Sequence, residues 1–452
     1  MNDRETFIKG GEDGAVVNLK DSAKSTLLEV IASTDPDKQM PPKGKRVSAE
    51  EVALLKSWID GGLNWEPGFA FKKKGYEPPL KPRKVELPAV SGGRSNPVDR
   101  IIDAHLAKNK LGRPKPLGDA AFMRRVSLDL IGLLPEPELL SQFVASKSPD
   151  KRARLVHLLL NDNIAYADHW LTFWNDLLRN DYTGTGFITQ GRKQITKWLY
   201  QSLVENKPYD QFTHQLIAPS PDSAGYSEGI KWRGEVSAGQ TVPIQFSQSV
   251  CQTFLGINMK CASCHDSFVD RWKLDEAYGL AAVISDKPLE VFRCDKSVGR
   301  TQKAAWLFPE LGQIDATKSQ AEKQQQLAAL MTHPENGRFT RTIVNRLWHR
   351  LMGRGIVHPV DSMQTEPWSS DLLDYLAMDF AERGYDLKKT LALICESQIY
   401  QSTAQVVGKT TGQSTMTMDQ NADAKGTEAD GPAMLWAAVR RWMEQVDSSY
   451  MH

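Results

Sequence analysis

Residues 261–265 read Cys-Ala-Ser-Cys-His, and how this pentapeptide is used decides what kind of fold the chain must have. C-x-x-C-H is the spacing at which two thiols capture the vinyl groups of a haem and the adjoining imidazole takes the iron. With the sulfurs one helical turn apart, both reach one porphyrin edge, and His265 is carried onto the iron from the proximal side. Other uses are open. A zinc ion would take Cys261 and Cys264 with two further ligands, Cys294 among the candidates. The adjacency of Cys264 and His265 argues against His265 joining that same tetrahedron. A Cys261–Cys264 disulfide of the thioredoxin kind needs a βαβ setting that the flanking sequence does not show, and plain buried thiols complete the alternatives.

If haem is bound, the sixth position has no claimant by spacing. Met259 lies on the wrong side of the motif, too close in sequence to fold over the opposite face. His169 and His214, on preceding predicted helices, are the candidate distal ligands, although a single His on an apolar face is more often a satisfied core histidine. A six-coordinate iron would make a one-electron carrier with a redox partner protein; a five-coordinate iron would leave a vacancy for peroxide or another small ligand. Asp266 and Asp270 would add negative charge beside the group, or serve simply as caps and solvated surface.

The 452 residues are too many for one ordinary core, so two or three domains are expected. Lys plus Arg number 56 against 55 Asp plus Glu, and a net charge of +1 gives no support for a nucleic-acid partner. Five cysteines are too few for a stapled scaffold. Cys251 and Cys294 could bridge in an oxidising compartment, which would leave Cys395 over. No apolar run approaches the ~20 residues of a membrane span. The opening residues 1–11 lack the basic and apolar regions of a signal peptide. Covalent haem attachment in bacteria takes place outside the cytoplasm, so the haem reading makes this chain the downstream part of a longer exported product. No G-x-S-x-G, H-E-x-x-H or Gly-rich phosphate loop is present, and Asp374 and Asp379 read as solvated helix faces. The 12 Trp residues fall mostly at helical spacing and are assigned to cores rather than to sugar stacking.

Along the chain, Ser48 and Glu51 form a capping box before a helix carrying Val52, Leu55 and Ile59, which Gly61-Gly62 stops. Ahead of it, Met40 stands in a Pro-rich loop, the setting in which small c-type cytochromes present an axial thioether; with no C-x-x-C-H upstream, packing on Trp58 or Trp65 is its simpler role. Residues 71–97, including Lys72-Lys73-Lys74 and Pro78-Pro79, read as an extended, solvent-exposed linker. Helices are predicted over about 97–111, 118–132, 136–146, 149–161, 165–180, 190–205, 208–217 and 241–257. A short apolar helix is expected at 277–284 and a polar connecting helix within 315–330. In a third block Phe339, Ile343, Leu347 and Leu351 repeat every four residues, and two helices follow, near 369–383 and 387–398. Residues 404–431 read as a flexible loop and 433–446 as a short amphipathic helix.

These stretches resemble a known arrangement. Gly10-Gly11 through Trp65, with MPPKGK and SAEEVALLKSWIDGG, resembles the distal half of the planctomycete-type cytochrome C domain. NPVDRIIDAHL, RRVSLDLIGLLPEP, ADHWLTFWNDLLRNDY and GINMKCASCHDSFVDRWKLDEAYGLAA are similar to the first of two planctomycete domains of unknown function that usually follow it. HPENGRFTRTIVNRLWHRLMGRGIVHPVD and LLDYLAMDFAERGYDLKKTLALICESQIYQS are similar to the second. The resemblance implies export to the periplasm or cell envelope, association with haem and a redox role without an established substrate. It also implies a signal peptide and a proximal C-x-x-C-H ahead of Met1, and a continuation beyond a segment like Val439-Arg440-Arg441. Many members carry a second His two residues after the motif His, where this chain has Ser267.

The expectation is therefore a mainly α, multi-domain helical protein with long irregular loops and a truncated cytochrome-c-like helical segment at the N-terminus. Its domains would be 1–66, a linker 67–96, a motif-bearing domain 97–300 and a shortened domain 301–452. Haem c at Cys261, Cys264 and His265 is the first functional reading, with His169 and Met40 as further candidate ligands. The alternative is a non-redox envelope scaffold or polysaccharide-processing partner stapled by zinc or a disulfide.

Overall fold

The computed structural model describes residues 4–10, 14–40, 47–63, 76–180, 188–190, 195–229, 231–232 and 236–403. The protein is mainly α: among the described residues there are 17 α-helices and two small two-stranded antiparallel sheets. None of these helices is long and apolar enough to cross a membrane. Trp65, Lys72-Lys73-Lys74 and the expected loop and helix beyond residue 403 lie outside the described residues.

The N-terminal segment builds its own small core from Val17, Leu28, Ile31, Ile59 and Leu63. Its longest helix, Ala49–Asp60, starts at the expected capping box: Ser48 Oγ accepts from the Glu51 N–H and Glu51 returns a carboxylate to the Ser48 N–H at 2.7 Å. Phe7 packs on Trp58 with ring centroids 5.7 Å apart. Met40 is half exposed, held only through its backbone N–H, which donates to the Val30 carbonyl at 2.9 Å.

From Val98 to Tyr400 one continuous hydrophobic core takes in residues on both sides of position 300. The predicted helices form as Pro97–Lys108, Asp119–Ile131, Pro137–Ala145, Lys151–Asn161, Asn163–Leu178, Thr196–Val204, Tyr209–Ile217 and Val242–Val250. In Asn163–Leu178, Trp170 and Trp174 are fully buried, as their helical spacing required.

Two segments depart from their sequence reading. The polar helix Gln320–Met331 is bedded in the core rather than a surface connector. Gln324 donates to the Ile217 carbonyl at 3.0 Å and Lys323 to the carbonyls of Ala282 and Ser285, so their polar ends are satisfied while their stems are buried. The second half of the expected linker is likewise strapped down. Arg341 donates to the carbonyls of Pro79 and Lys81 at 2.6 and 2.9 Å, Gly337 N–H to Leu80, and Arg100 to Leu87 and Pro88. Arg83 completes the strap with ion pairs to Asp371 and Asp374, both at 2.6 Å. Asp374 is therefore a buried partner of Arg341 and Arg83, not a solvated face, and Asp379 is nearly as buried and pairs with Arg383 at 2.7 Å.

Helix Gly337–Met352 supplies the central element. Phe339, Ile343, Leu347 and Leu351 are buried as the four-residue repeat demanded, yet Arg338, Arg341 and Arg346 between them are buried too, each 3 % exposed or less. Their partners explain this. Helix Val242–Val250 continues into a wider π-helical turn, Cys251–Leu255, which ends at Gly256 in the left-handed region (φ +58°). The last carbonyls of any helix lack intrahelical donors, and here arginines supply them. Arg338 Nε donates to Leu255 at 2.8 Å; Arg346 donates to Gln252 at 2.5 Å and to Thr253, and pairs with Asp361 at 2.9 Å. Burial lowers the Arg338 guanidinium to about 10, so it still carries its charge at neutral pH against the negative end of the helix dipole. Gly256 is obligatory at the exit, because a Cβ there would meet Met363 Cγ at 2.4 Å.

Arg346→Ala strands the buried Thr253 carbonyl and the part-buried Gln252 carbonyl and removes the ion pair to the exposed Asp361. We expect a loss of about 3–5 kcal/mol of unfolding free energy in urea titration, with Arg346→Lys recovering part of it. A loss below about 1 kcal/mol would mean that these carbonyls find other donors.

Candidate functional site

The π-helical turn and Gly256 launch the chain directly into the cysteine motif. Ile257 and Met259 insert into the core, and the backbone then winds a single helical turn. Ser263 N–H donates to Met259 O at 2.9 Å, Cys264 N–H to Cys261 O at 3.0 Å, and His265 N–H to Cys261 O at 3.1 Å. The two inner residues fix which way this turn faces. Ala262 and Ser263 are both fully buried, with Ser263 Oγ donating to Met259 O at 2.7 Å and accepting from Gln248 Nε2 at 3.0 Å. Cys261 is consequently exposed, and Cys264 and His265 are half-buried.

His265 is oriented by its own backbone. Its Nδ1 lies 2.8 Å from the Asp266 carbonyl, and because a carbonyl only accepts, Nδ1 carries the proton and Nε2 keeps its lone pair when the ring is neutral. The ring also stacks on Phe268, centroid to centroid 4.5 Å. Phe268 and Val269, each 77 % exposed, form the tip of a tight loop closed by the Ser267 N–H to Trp272 O bond at 2.9 Å. Trp272 is fully buried, and Arg271 lies 4.0 Å over its ring. Within the loop, Asp266 accepts from the Leu274 N–H at 3.0 Å and pairs with Lys273, while Asp270 accepts from the Trp272 N–H at 3.2 Å. Burial pulls the Asp266 carboxyl up, but these two partners outweigh it and hold the group below its usual range. Both aspartates thus act as local caps.

The other wall is a hairpin that the sequence reading did not anticipate, Leu289–Arg293 paired with Lys296–Gln302. Its turn is Cys294-Asp295, with Cys294 in the left-handed region (φ +52°). The Cys294 N–H donates to the Cys264 carbonyl at 2.9 Å, which ties the hairpin to the motif. Asp295 in turn accepts from the Ala238 N–H at 2.9 Å, and a Cβ on neighbouring Gly239 would lie only 3.2 Å from Cys264 Sγ. Burial pushes the Cys264 thiol up, and the nearby Cys294, Asp295 and Cys261 push it further. Beside this contact opens a cleft of about 700 Å³, walled by Pro243, Ile244, Tyr278, Leu289 and Phe292, with Asp295 at its rim.

The remaining candidates lie elsewhere. His169 packs on Trp170, and a Cβ on Gly132 would lie 2.4 Å from its Nδ1. Burial and Arg350 lower its ring below the usual imidazole range. His214 sits half-buried on helix Tyr209–Ile217. Met40 lies in the N-terminal segment, outside that segment's core, with its side chain half exposed. All five cysteines are free thiols; Cys251 is fully buried whereas Cys294 is exposed on its turn, so the expected Cys251–Cys294 bridge is not made, and neither is one between Cys261 and Cys264. The zinc alternative finds no support here: among the described residues no group of three or more His, Cys, Asp or Glu side chains converges to hold a metal ion. On this turn stand two sulfurs, one exposed and one half-buried, and an imidazole whose Nε2 keeps its lone pair, residue types that match the ligands of a covalently bound haem.

Comparison with known proteins agrees with the order of segments. Residues 1–44 match the family model described as planctomycete cytochrome C, residues 97–288 a protein of unknown function, DUF1549, and residues 323–425 a second protein of unknown function, DUF1553. The motif at 261–265 falls inside the second of these matches and Met40 inside the first. The arginine helix Gly337–Met352 falls inside the third. No curated protein and no solved structure matches the chain.

Proposed function

We propose that the chain is an exported c-type haem-binding protein with an electron-transfer or other redox role, the haem being held at Cys261, Cys264 and His265. The observation that carries this reading is the conformation of the motif itself. Its inner residues, Ala262 and Ser263, are locked into the core, so that the exposed Cys261 and the half-buried Cys264 and His265 project from one turn. Each thiol would form a thioether with a vinyl group, and the Nε2 of His265 would ligate the iron, which supplies one-electron chemistry when bound.

The protein's own residues serve this role in three ways. The Asp266 carbonyl fixes the tautomer of His265, the task usually given to a partner of a metal-bound histidine. Phe268, stacked on the imidazole, sets the ring plane and offers apolar surface where a porphyrin edge would otherwise meet water. The cleft beside Cys264 adds an apolar wall. His169 stays the candidate sixth ligand of this reading; the neighbours it has here are Gly132, Trp170 and Arg350. The match to planctomycete cytochrome C over residues 1–44 supports association with haem and a place in the periplasm or cell envelope; a redox partner protein belongs to this reading as its further expectation.

Two measurements test the reading. Expressed with an export signal alongside a cytochrome c maturation system, the chain should show a reduced-minus-oxidised haem spectrum that survives denaturation and disappears in Cys261→Ser, Cys264→Ser. A colourless protein would sink the haem reading and leave the helical scaffold. Independently, long-range proton–nitrogen correlation spectra of haem-free protein above the His265 titration should show the Nδ1–H tautomer. Protonation at Nε2 instead would remove the free lone pair on which iron ligation depends.

A further inference from the structure

We propose that Cys264 and Cys294 form a second, reversible covalent site, a disulfide made by exchange with a low-molecular-weight or protein disulfide. Cys294 lies outside the C-x-x-C-H motif, yet the hairpin brings it to the motif's second sulfur. The Cys294 N–H donates to the Cys264 carbonyl at 2.9 Å, and standard backbone bond lengths on either side of that bond cap the separation of the two Cα atoms at about 6.8 Å, the upper end of what a disulfide spans. Both sides face the same short loop. Asp295 binds the Ala238 N–H, and Cys264 Sγ lies against Gly239, so the turn and the sulfur are clamped on neighbouring residues. Any side chain at position 239 would crowd the sulfur; glycine leaves it room.

Accessibility assigns the order of events. Cys294 is exposed and Cys264 is half-buried, so the Cys294 thiolate attacks one sulfur of the incoming disulfide, which leaves as a thiol, and a mixed disulfide forms at Cys294. The Cys264 thiolate then attacks Cys294 Sγ and releases the second half as a thiol. Two protein thiols are oxidised, one disulfide is reduced to two thiols, and the two protein protons end on the released thiols. Cys251 and Cys395 take no part, because both are fully buried.

The site is argued independently of the haem reading, but one consequence rests on that reading. A sulfur engaged in a disulfide cannot also form a thioether, so the Cys264–Cys294 bond and haem attachment at Cys264 exclude one another.

The test uses the full chain produced without haem attachment, treated with oxidised glutathione, alkylated and digested with trypsin. Cleavage after Arg293 and Lys296 frees Cys294 on a tripeptide, and cleavage after Lys260 and Arg271 frees both motif cysteines on one peptide. We expect these two peptides to be disulfide-linked in the unaltered chain and in Cys261→Ser, and unlinked in Cys264→Ser and in Cys294→Ser. A linkage lost in Cys261→Ser, a persistent glutathione adduct at Cys294, or a Cys261–Cys264 bridge would each overturn the proposal. The haem spectrum described above is a separate readout: linked peptides from a protein that never takes up haem would leave this site standing and the haem reading fallen, and the reverse result would do the opposite.

Discussion

The structure turns on the contact between the buried arginines of helix Gly337–Met352 and the carbonyl end of the π-helical turn Cys251–Leu255. A helix that widens at its end and stops inside a core presents several acceptors that water cannot reach, and each would cost about 1–3 kcal/mol if left unpaired. Arg338 and Arg346 satisfy them with charge-assisted donors, which are roughly twice as strong as neutral ones. Removing the arginines would force this end to unwind or shift. The cysteine motif begins only a few residues on, so its position is set by a helix from a different matched segment of the chain. This is a physical reason for the segments at 97–288 and 323–425 to occur together: neither completes the site's support alone.

The motif shows the same economy at smaller scale. In C-x-x-C-H the two middle residues carry no chemistry, and here they carry the anchorage. Ala262 is small enough to be fully buried, and Ser263 ties Gln248 to the Met259 carbonyl, so the turn has a fixed inner face. A larger residue at 262 would push the turn off the core, and a residue without a hydroxyl at 263 would leave the Gln248 amide without this acceptor. The outward disposition of the sulfurs follows from what is buried between them rather than from any preference of cysteine, which is among the most buried residue types when free. Cys251 and Cys395 behave in that ordinary way, and the contrast with Cys261 marks the latter as chemically available.

Helix positions were legible because they rest on local signals: Ser48 and Glu51 announce a capping box and Gly61-Gly62 a stop, and the helix Ala49–Asp60 forms between them. Burial was less legible wherever a polar side chain is buried with a partner distant in sequence. The segment holding Lys323 and Gln324 read only as a polar connecting helix because their acceptors lie some 40 and 107 positions away. Arg338, Arg341 and Arg346 hide within an apolar repeat for the same reason, and so does the strap from Pro79 to Arg83. The hairpin around Cys294 went unseen for a different reason. Its second strand, Lys296–Gln302, is almost wholly exposed, so it lacks the apolar alternation by which a half-buried strand is recognised. A Cys-Asp turn is also less telling than an Asn-Gly one.

That hairpin changes how the candidate site is understood. Read from the pentapeptide alone, Cys264 has one role and one set of neighbours. In the folded protein its carbonyl is held by the Cys294 N–H, its sulfur rests against Gly239, and Cys294 and Asp295 both act on its thiol. Cys261 has none of these contacts described, so the two sulfurs of the motif are not equivalent. An asymmetric pair of this kind gives any covalent chemistry at the motif a preferred order: the exposed Cys261 is open to reaction from solvent, while Cys264 reacts within the wall formed by the 238–239 loop and the hairpin turn. Which partner Cys264 meets first, a vinyl group entering along the cleft or the sulfur of Cys294 already beside it, is then decided by the redox state of the surroundings, because only an oxidant opens the second route.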